Sequence, residues 1–191
     1  DVVFTDLEVV LPLTRRNLQR NQEVIQATRA AAGVRASPRV LVQELMFGDD
    51  ASLAAAVARI DNESDFDGAL PESRAVVQGT QTQQRLLVLC SDCIWLPYLH
   101  EPLLKTIAAA LRLGGPGAFA LVAYQTRNAA IEKAFHSRLA SNTDGLLSTP
   151  LNLDASLARV QWPEQILLGL SNGGRALEDH FKVYRLDLVE A

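Results

Sequence analysis

Acidic and aromatic side chains follow apolar runs at three places in the sequence. Asp6 ends "VVFTD", Phe47 precedes Gly48 in "ELMFGDD", and Asp92 ends "RLLVLCSD". A carboxylate can accept two hydrogen bonds from a ribose diol, and a flat ring can form a wall for adenine. Asp92 follows an almost unbroken apolar run, where a charge needs a partner or a function. These residues indicate nucleotide-type binding chemistry.

Each of these residues also has a purely structural interpretation. Asp6 could cap the helix that follows it, and this would be compatible with a ligand role. Phe47 could be an aromatic residue of the core. Trp95 lies three residues after Asp92, and Tyr124 stands at the end of a later apolar run. Trp95 and Tyr124 are therefore further aromatic candidates for contact with a ligand.

Apolar runs and helical periodicities alternate along the chain, which predicts the elements that must position these residues. The predicted strands are 2–5, 39–45, 85–92 and 117–127, and the predicted helices are 8–31, 49–60, 100–115 and 128–140. A closing antiparallel pair is predicted from 165–171 and 180–189, with a turn at 172–174. This order predicts an α/β sandwich with right-handed crossovers, in which ligands collect at the carboxyl ends of the strands.

Composition limits the class of protein. The chain has 191 residues, 48% of them hydrophobic and 21% charged, which is typical of a globular domain. A formal net charge of −4 argues against nucleic-acid binding, and the basic cluster Arg15, Arg16 and Arg20 is interpreted as a solvated helix face. No apolar run approaches the roughly 20 residues that span a bilayer, so we expect no membrane segment.

Residues 61–84 form the one long polar interruption, rich in acidic residues, Gly, Ser and Gln. This composition predicts an exposed loop and permits disorder. The sequence shows no internal repeat and no second domain, so residues 1–191 are interpreted as one domain.

Cys90 and Cys93 form an isolated C-x-x-C motif. A redox pair would stand at a helix N-terminus, and a zinc site would need a second pair of ligands. The three histidines are scattered, so neither condition is met. We therefore expect two reduced thiols at a strand end, no metal site and a cytoplasmic protein.

Four stretches together resemble a known family: "VVFTDLEVVLPLTRRNLQRN", "ELMFGDD", "SDCIWLPYLHEPLLKTI" and "DHFKVYRLDL". In this order they are similar to the Rossmann-like, seven-strand S-adenosyl-L-methionine-dependent methyltransferases. Within that fold they resemble the non-histone protein-lysine methyltransferases of the valosin-containing-protein lysine methyltransferase type. The resemblance covers most of the chain outside residues 61–84.

The resemblance assigns cofactor-binding roles to three residues. Asp6 matches the family's T-D aspartate, which binds the cofactor ribose. Phe47 and Gly48 stand where the family usually has tryptophan and glycine packed on the adenine. Ser91 matches the small residue at the end of the family's fourth strand. The implied cofactor is S-adenosyl-L-methionine.

The same resemblance assigns the catalytic positions. Asp92 and Trp95 match the family's D-x-x-Y motif, with tryptophan in place of the usual tyrosine. Asp92 would hold the incoming lysine ammonium, and Trp95 would form an aromatic wall with cation–π character. Tyr124 is a further candidate for this pocket. We expect a lysine side chain of a non-histone protein as the substrate, and a monomeric enzyme.

The family's first strand and its glycine-rich turn have no match in the sequence. We therefore expect the chain to begin at the second strand of the fold, as a fragment of a longer protein. Loss of a strand that lies between the second and fourth strands would leave two unpaired edges. The 191 residues alone should then be poorly soluble or rearrange, and they should bind the cofactor weakly. In the intact protein, Asp6 and Asp92 are expected to face a shared crevice.

Three other functions remain open from the sequence. The first is a small-molecule methyltransferase of the same fold. The second is a non-catalytic binding module that keeps the methyltransferase fold as a scaffold. The third is a nicotinamide-dinucleotide oxidoreductase, because Asp6 would suit that ribose equally well, although no hydride-transfer residues are recognisable.

Overall fold

A computed structural model describes residues 2–31, 40–61, 86–141, 143–151 and 181–189. The chain divides into two compact units, Asp1–Gln81 and Thr82–Ala191. The described residues are mixed α/β, with five α-helices, a parallel strand pair and a four-stranded mixed sheet. The α/β class predicted from the sequence is confirmed. The predicted loop at 61–84 lies outside the described residues, except for Asp61.

The first unit is built on a parallel strand pair. Strand β1 (Val2–Asp6) lies beside strand β2 (Val40–Glu44), and the last pair in their register is Asp6 and Glu44. Three helices accompany the pair, α1 (Leu11–Arg20), α2 (Gln22–Ala31) and α3 (Asp50–Asp61). Because the strands are parallel and in register, their carboxyl ends lie at the same edge of the pair.

The predicted helix over residues 8–31 was too long, because the chain divides it at Asn21. Helix α1 begins at Leu11 with a proline in its first turn, where no amide donor is needed. The Asn21 side-chain amide donates to the carbonyl oxygen of Asn17 at 2.7 Å. Asparagine side chains compete in this way for helix carbonyls, which favours an interruption at this residue.

The second unit contains the four-stranded sheet, in the order β3, β4, β6, β5. Strands β3 and β4 are parallel, and β6 is antiparallel to both β4 and β5. Its elements are β3 (Leu87–Ser91), a short 3-10 helix (Pro97–Leu99), α4 (His100–Gly114), β4 (Phe119–Gln125), α5 (Ala129–Ala140), β5 (Leu146–Pro150) and β6 (Phe181–Leu188).

The closing antiparallel strand is confirmed as β6, and β5 was not predicted. The sequence "LLSTP" of β5 has little apolar character after its first two residues, and it ends in a proline, which strands tolerate at their ends. Residues 165–171, the predicted partner, and the predicted turn at 172–174 lie outside the described residues.

The core of the second unit lies under helix α4. Its predicted apolar face is confirmed, since Leu103, Leu104, Ile107 and Leu111 are each at most 1% exposed. Phe135 of α5 is also fully buried. Burying side chains of this size stabilises the fold by about 1.5–3 kcal/mol each. This packing gives the carboxyl ends of β3 and β4 a rigid support.

In the described part of the chain, β1 pairs with β2 alone and β3 pairs with β4 alone. Apolar side chains near these edges are solvent-exposed, among them Leu87 and Leu89 of β3. The sequence-based expectation of low solubility for the isolated chain stays a prediction. A search of the described helices finds none with the length and apolar character to cross a bilayer.

Gly114, the last residue of α4, packs closely against the residue that precedes β3. A Cβ atom on Gly114 would lie 2.5 Å from Leu86 Cβ and 3.0 Å from Ala118 Cβ. We expect Gly114→Ala to lower the free energy of unfolding by about 1–3 kcal/mol, because overpacking outweighs a gain in helix propensity of at most about 1 kcal/mol. Urea denaturation measures this difference.

Leu113→Ala is the matched control, because Leu113 lies on the same helix and is 55% exposed. It should change stability by less than about 0.5 kcal/mol. A Gly114→Ala protein as stable as the parent would contradict the close packing.

Candidate functional site

Asp92 stands at the end of β3 in a left-handed backbone conformation, with a φ angle of 58°. Aspartate is one of the few residue types other than glycine that tolerate this region. The preceding residue, Ser91, pairs with Ala123 of β4, and the Asp92 amide donates to the Ala123 carbonyl oxygen at 2.7 Å. The parallel ladder therefore ends in a fixed turn, with the Asp92 side chain 39% exposed.

A small open cleft of about 50 Å³ lies beside this carboxylate. Its lining combines two carboxylates, one indole, two amides, one guanidinium and two apolar side chains. These residues are Asp92, Ile94, Trp95, Gln125, Arg127, Asn128, Ile131 and Glu132. The indole of Trp95 is 59% exposed, so it is accessible to a ligand. An acid beside an accessible indole is suited to a cationic group.

Within the cleft, Asp92 forms an ion pair with Arg127, with 2.8 Å between Oδ2 and Nη2. The Arg127 Nε group also donates to Gln125 Oε1 at 3.2 Å. The Arg127 backbone N–H donates to Glu132 Oε1 at 3.1 Å. The backbone and the guanidinium of Arg127 are thus held by different partners.

Asn128 fixes the start of helix α5 directly after Arg127. Its Oδ1 atom accepts hydrogen bonds from the amides of Ala130 and Ile131, at 3.0 and 3.3 Å. This is the usual geometry of an asparagine N-cap, which typically stabilises a helix by about 1 kcal/mol. The connection from β4 to α5, which carries Arg127 into the cleft, is therefore anchored at its helix end.

A buried histidine holds the backbone next to Trp95. The His100 ring Nε2 atom lies 2.8 Å from the carbonyl oxygen of Ile94, and only 4% of His100 is exposed. A carbonyl can only accept, so Nε2 carries the proton and donates. The ring also packs edge-on against Phe135, with centroids 5.4 Å apart. These contacts tie the turn that presents Trp95 to the core.

Sequence reasoning did not identify Arg127, Glu132 or His100 as parts of this site. Arg127 could have been identified from its position in the sequence, two residues beyond β4, which is the parallel neighbour of β3. Because parallel neighbours end at the same sheet edge, side chains after both strands can meet.

Tyr124 is placed away from this cleft, although sequence reasoning proposed it for the same pocket. Its ring is buried, and its hydroxyl lies 2.8 Å from His136 Nε2. It also stacks on Tyr184, with centroids 6.2 Å apart. Successive side chains of a strand point to opposite faces, and it is Gln125 that lines the cleft. Burial and the neighbouring Tyr184 raise the pKa of the Tyr124 hydroxyl above its usual value.

Asp6 ends β1 with an exposed side chain, whose Oδ1 atom accepts from the Leu7 amide at 2.8 Å. The interpretation of Asp6 as the cap of the next helix is wrong. Helix α1 begins at Leu11 with Val10 as its N-cap residue, and none of the side chains described there caps it. The Asp6 carboxylate instead accepts the amide of the next residue, and its second oxygen, Oδ2, is not used in that bond.

Phe47 follows β2 with a half-buried ring, so it is neither a fully enclosed core residue nor a fully exposed one. The next residue, Gly48, has a φ angle of 85°, which glycine adopts without strain. The Met46 amide donates to Ser52 Oγ at 3.3 Å, which ties this turn to helix α3. Ser91 is exposed at the end of β3.

Cys90 is buried near the end of β3, Cys93 is half-buried, and the two form no disulfide with each other. Cys93 donates to the Ser91 carbonyl oxygen with a separation of 3.4 Å. A hydrogen bond with Cys93, together with burial, raises the pKa of the Cys90 thiol well above its usual value. Such a thiol stays protonated and is a poor nucleophile. The described residues contain no group of three or more His, Cys, Asp or Glu side chains arranged for a metal ion.

Comparisons with known proteins assign no family to the chain. No protein-family model matches the sequence, and a search of curated proteins finds no match.

Burial lowers the pKa of His136 below its ordinary value of 6.5, and the nearby Glu132 opposes this shift. The unfolded chain therefore takes up a proton near pH 6.5, whereas the folded chain does so only at lower pH. We expect the free energy of unfolding to fall as the pH decreases from about 6.5 toward the lower folded pKa. Denaturation at a series of pH values measures this dependence.

His136→Gln removes the titrating group, and the other histidines are shared by both proteins. The free energy of unfolding of the His136→Gln protein should therefore fall less steeply over the same pH interval than that of the parent. Parallel pH profiles for the two proteins would show that His136 does not contribute.

The Asp92 turn predicts a graded response to substitution. Asp92→Asn removes an ion pair between half-exposed groups and should lower stability by at most about 1 kcal/mol, since asparagine also tolerates a positive φ. Asp92→Ala adds left-handed strain of about 1–2 kcal/mol. Urea denaturation of both variants should rank alanine below asparagine, and equal stabilities would contradict the backbone strain at this residue.

Proposed function

We propose that the chain belongs to an S-adenosyl-L-methionine-dependent protein-lysine N-methyltransferase. The observation that supports this function best is the cleft at the end of β3. There the half-exposed carboxylate of Asp92 shares a pocket with the accessible indole of Trp95 and already binds a cationic side chain. This chemistry suits the ammonium group of a substrate lysine.

The residues of the first unit fit a cofactor with a ribose and an adenine. Asp6 is exposed at the end of β1, and only its Oδ1 atom accepts the Leu7 amide. Its carboxylate therefore has lone pairs left to accept hydrogen bonds from the two ribose hydroxyls. Phe47 offers a half-exposed ring suited to adenine. Ser91, a small exposed residue, lies in the second unit, and its role in cofactor binding stays a prediction.

When bound, S-adenosyl-L-methionine supplies an electrophilic methyl group that a neutral amine takes by direct displacement. The protein residues then have two tasks, to align the amine and to remove water from it. The Asp92 carboxylate orients the incoming ammonium, and the face of Trp95 stabilises its charge by a cation–π contact. Both interactions fix the nitrogen in one position.

The amine must lose a proton before it can react. The carboxylate of Asp92 favours the charged ammonium, whereas burial favours the neutral amine. Ile94 and Ile131 supply the apolar part of the cleft lining, and Ile94 is only 3% exposed. We infer that the lysine enters as a cation, loses its proton to water through the open side of the cleft, and reacts as the amine.

Transfer of a radiolabelled methyl group from S-adenosyl-L-methionine into cell extract tests this proposal. The full-length protein should label proteins and leave small molecules unlabelled. Asp92→Asn should reduce protein labelling by about ten- to a hundredfold, the loss expected for a hydrogen bond to a charged group. Trp95→Ala should reduce it by about two- to thirtyfold, whereas Trp95→Phe should retain most of it.

Asp187→Asn is the matched control. Asp187 also forms an ion pair with an arginine, Arg185, at 2.7 Å, but it lies on β6 outside the cleft. Labelling of small molecules would favour the small-molecule methyltransferase. Absence of any transfer would favour the binding module, and full activity of Asp92→Asn would remove Asp92 from the mechanism.

A further inference from the structure

We propose that Arg127 is a built-in competitor for the lysine subsite, which an incoming ammonium must displace from Asp92. This inference rests on the proposed function, because it identifies the occupied cation position with the place of the substrate lysine. The juxtaposition that carries it is the 2.8 Å ion pair between Asp92 Oδ2 and Arg127 Nη2 inside the cleft.

The guanidinium can leave without a change in the backbone. Glu132 Oε1 accepts the Arg127 backbone N–H, and the Asn128 cap holds the following helix. The side chain itself makes polar contacts with Asp92 and with Gln125, and it is 58% exposed. Rotation of the side chain into solvent therefore replaces those two contacts by water and preserves the backbone contacts.

The strength of the ion pair is suited to displacement. Pairs between exposed groups contribute only a small free energy, so competition should weaken ammonium binding by about two- to fivefold and not abolish it. Among the residues that line the cleft, Glu132 also carries a negative charge, and its Oε1 atom accepts the Arg127 backbone N–H. The Arg127 guanidinium pairs with Asp92, so Asp92 is the carboxylate for which the two cations compete.

This arrangement also gives the cleft selectivity. While Arg127 is in place, the charge of Asp92 is compensated, and a neutral ligand gains little at this carboxylate. A ligand cation replaces one ion pair by another, so the exchange is nearly balanced and depends on the additional contact with Trp95. Arg127 is thus a specificity-determining residue and not a catalytic one.

Binding of n-butylammonium chloride, which mimics a lysine side chain, tests the inference without any need for methyl transfer. In titrations followed by nuclear magnetic resonance, Arg127→Gln in the full-length protein should bind this cation about two- to fivefold more tightly than the parent. Arg127→Lys should retain parental affinity, because it keeps the competing charge. Adding Asp92→Asn to Arg127→Gln should remove the gain.

Lys133→Gln is the charge-matched control, because Lys133 is exposed on α5 and does not line the cleft. It should leave the affinity unchanged. If Arg127→Gln binds n-butylammonium as weakly as the parent, or more weakly, Arg127 is no competitor for this subsite.

Methyl transfer separates this inference from the proposed function. If the proposed function holds, Arg127→Gln should lower the KM for the protein substrate by about two- to fivefold with little change in kcat. A gain in n-butylammonium affinity without methyl transfer by any of these proteins would support the competitor and contradict the proposed function. Methyl transfer with a raised KM in Arg127→Gln would support the function and contradict the competitor.

Discussion

The left-handed turn at Asp92 is the constraint on which the proposed site depends. The backbone N–H of Asp92 extends the parallel β3–β4 ladder by one bond, to Ala123, before the chain turns away. This bond fixes the position at the end of β3 from which the Asp92 side chain projects. A residue at position 92 that could not adopt a positive φ would change the direction of the backbone here. Even an acidic side chain at this position would then no longer be presented to the cleft. The chemistry at this sheet edge therefore begins with backbone geometry.

Two anchors turn this sheet edge into a preorganised pocket. His100 holds the backbone next to Trp95 through the Ile94 carbonyl, and Asn128 caps the helix that follows Arg127. His100 is buried at the start of α4, and Asn128 lines the cleft as the N-cap of α5. The Trp95 indole and the Arg127 guanidinium remain accessible to solvent. Selective binding of a cation requires a rigid backbone that presents side chains able to contact the ligand.

Much of the fold was predictable from local patterns, because strands β3 and β4 are apolar runs and helix α4 repeats its apolar residues every three or four positions. Strand β5 was missed because its pairing with β6 bridges distant parts of the chain. The break at Asn21 depends on one side-chain hydrogen bond. For the site, local patterns did not predict that Tyr124 lies away from the cleft or that Arg127 pairs with Asp92. Both depend on how side chains pack across neighbouring strands of the sheet.

Photochemical cross-linking is the most direct test of the central claim, that this chain binds S-adenosyl-L-methionine beside the Asp92 turn. Ultraviolet irradiation of the full-length protein with radiolabelled S-adenosyl-L-methionine should attach label to the peptide that contains Trp95. Excess S-adenosylhomocysteine should compete for this labelling. Label confined to other peptides, or labelling that the competitor does not reduce, would contradict the assignment of both cofactor and site.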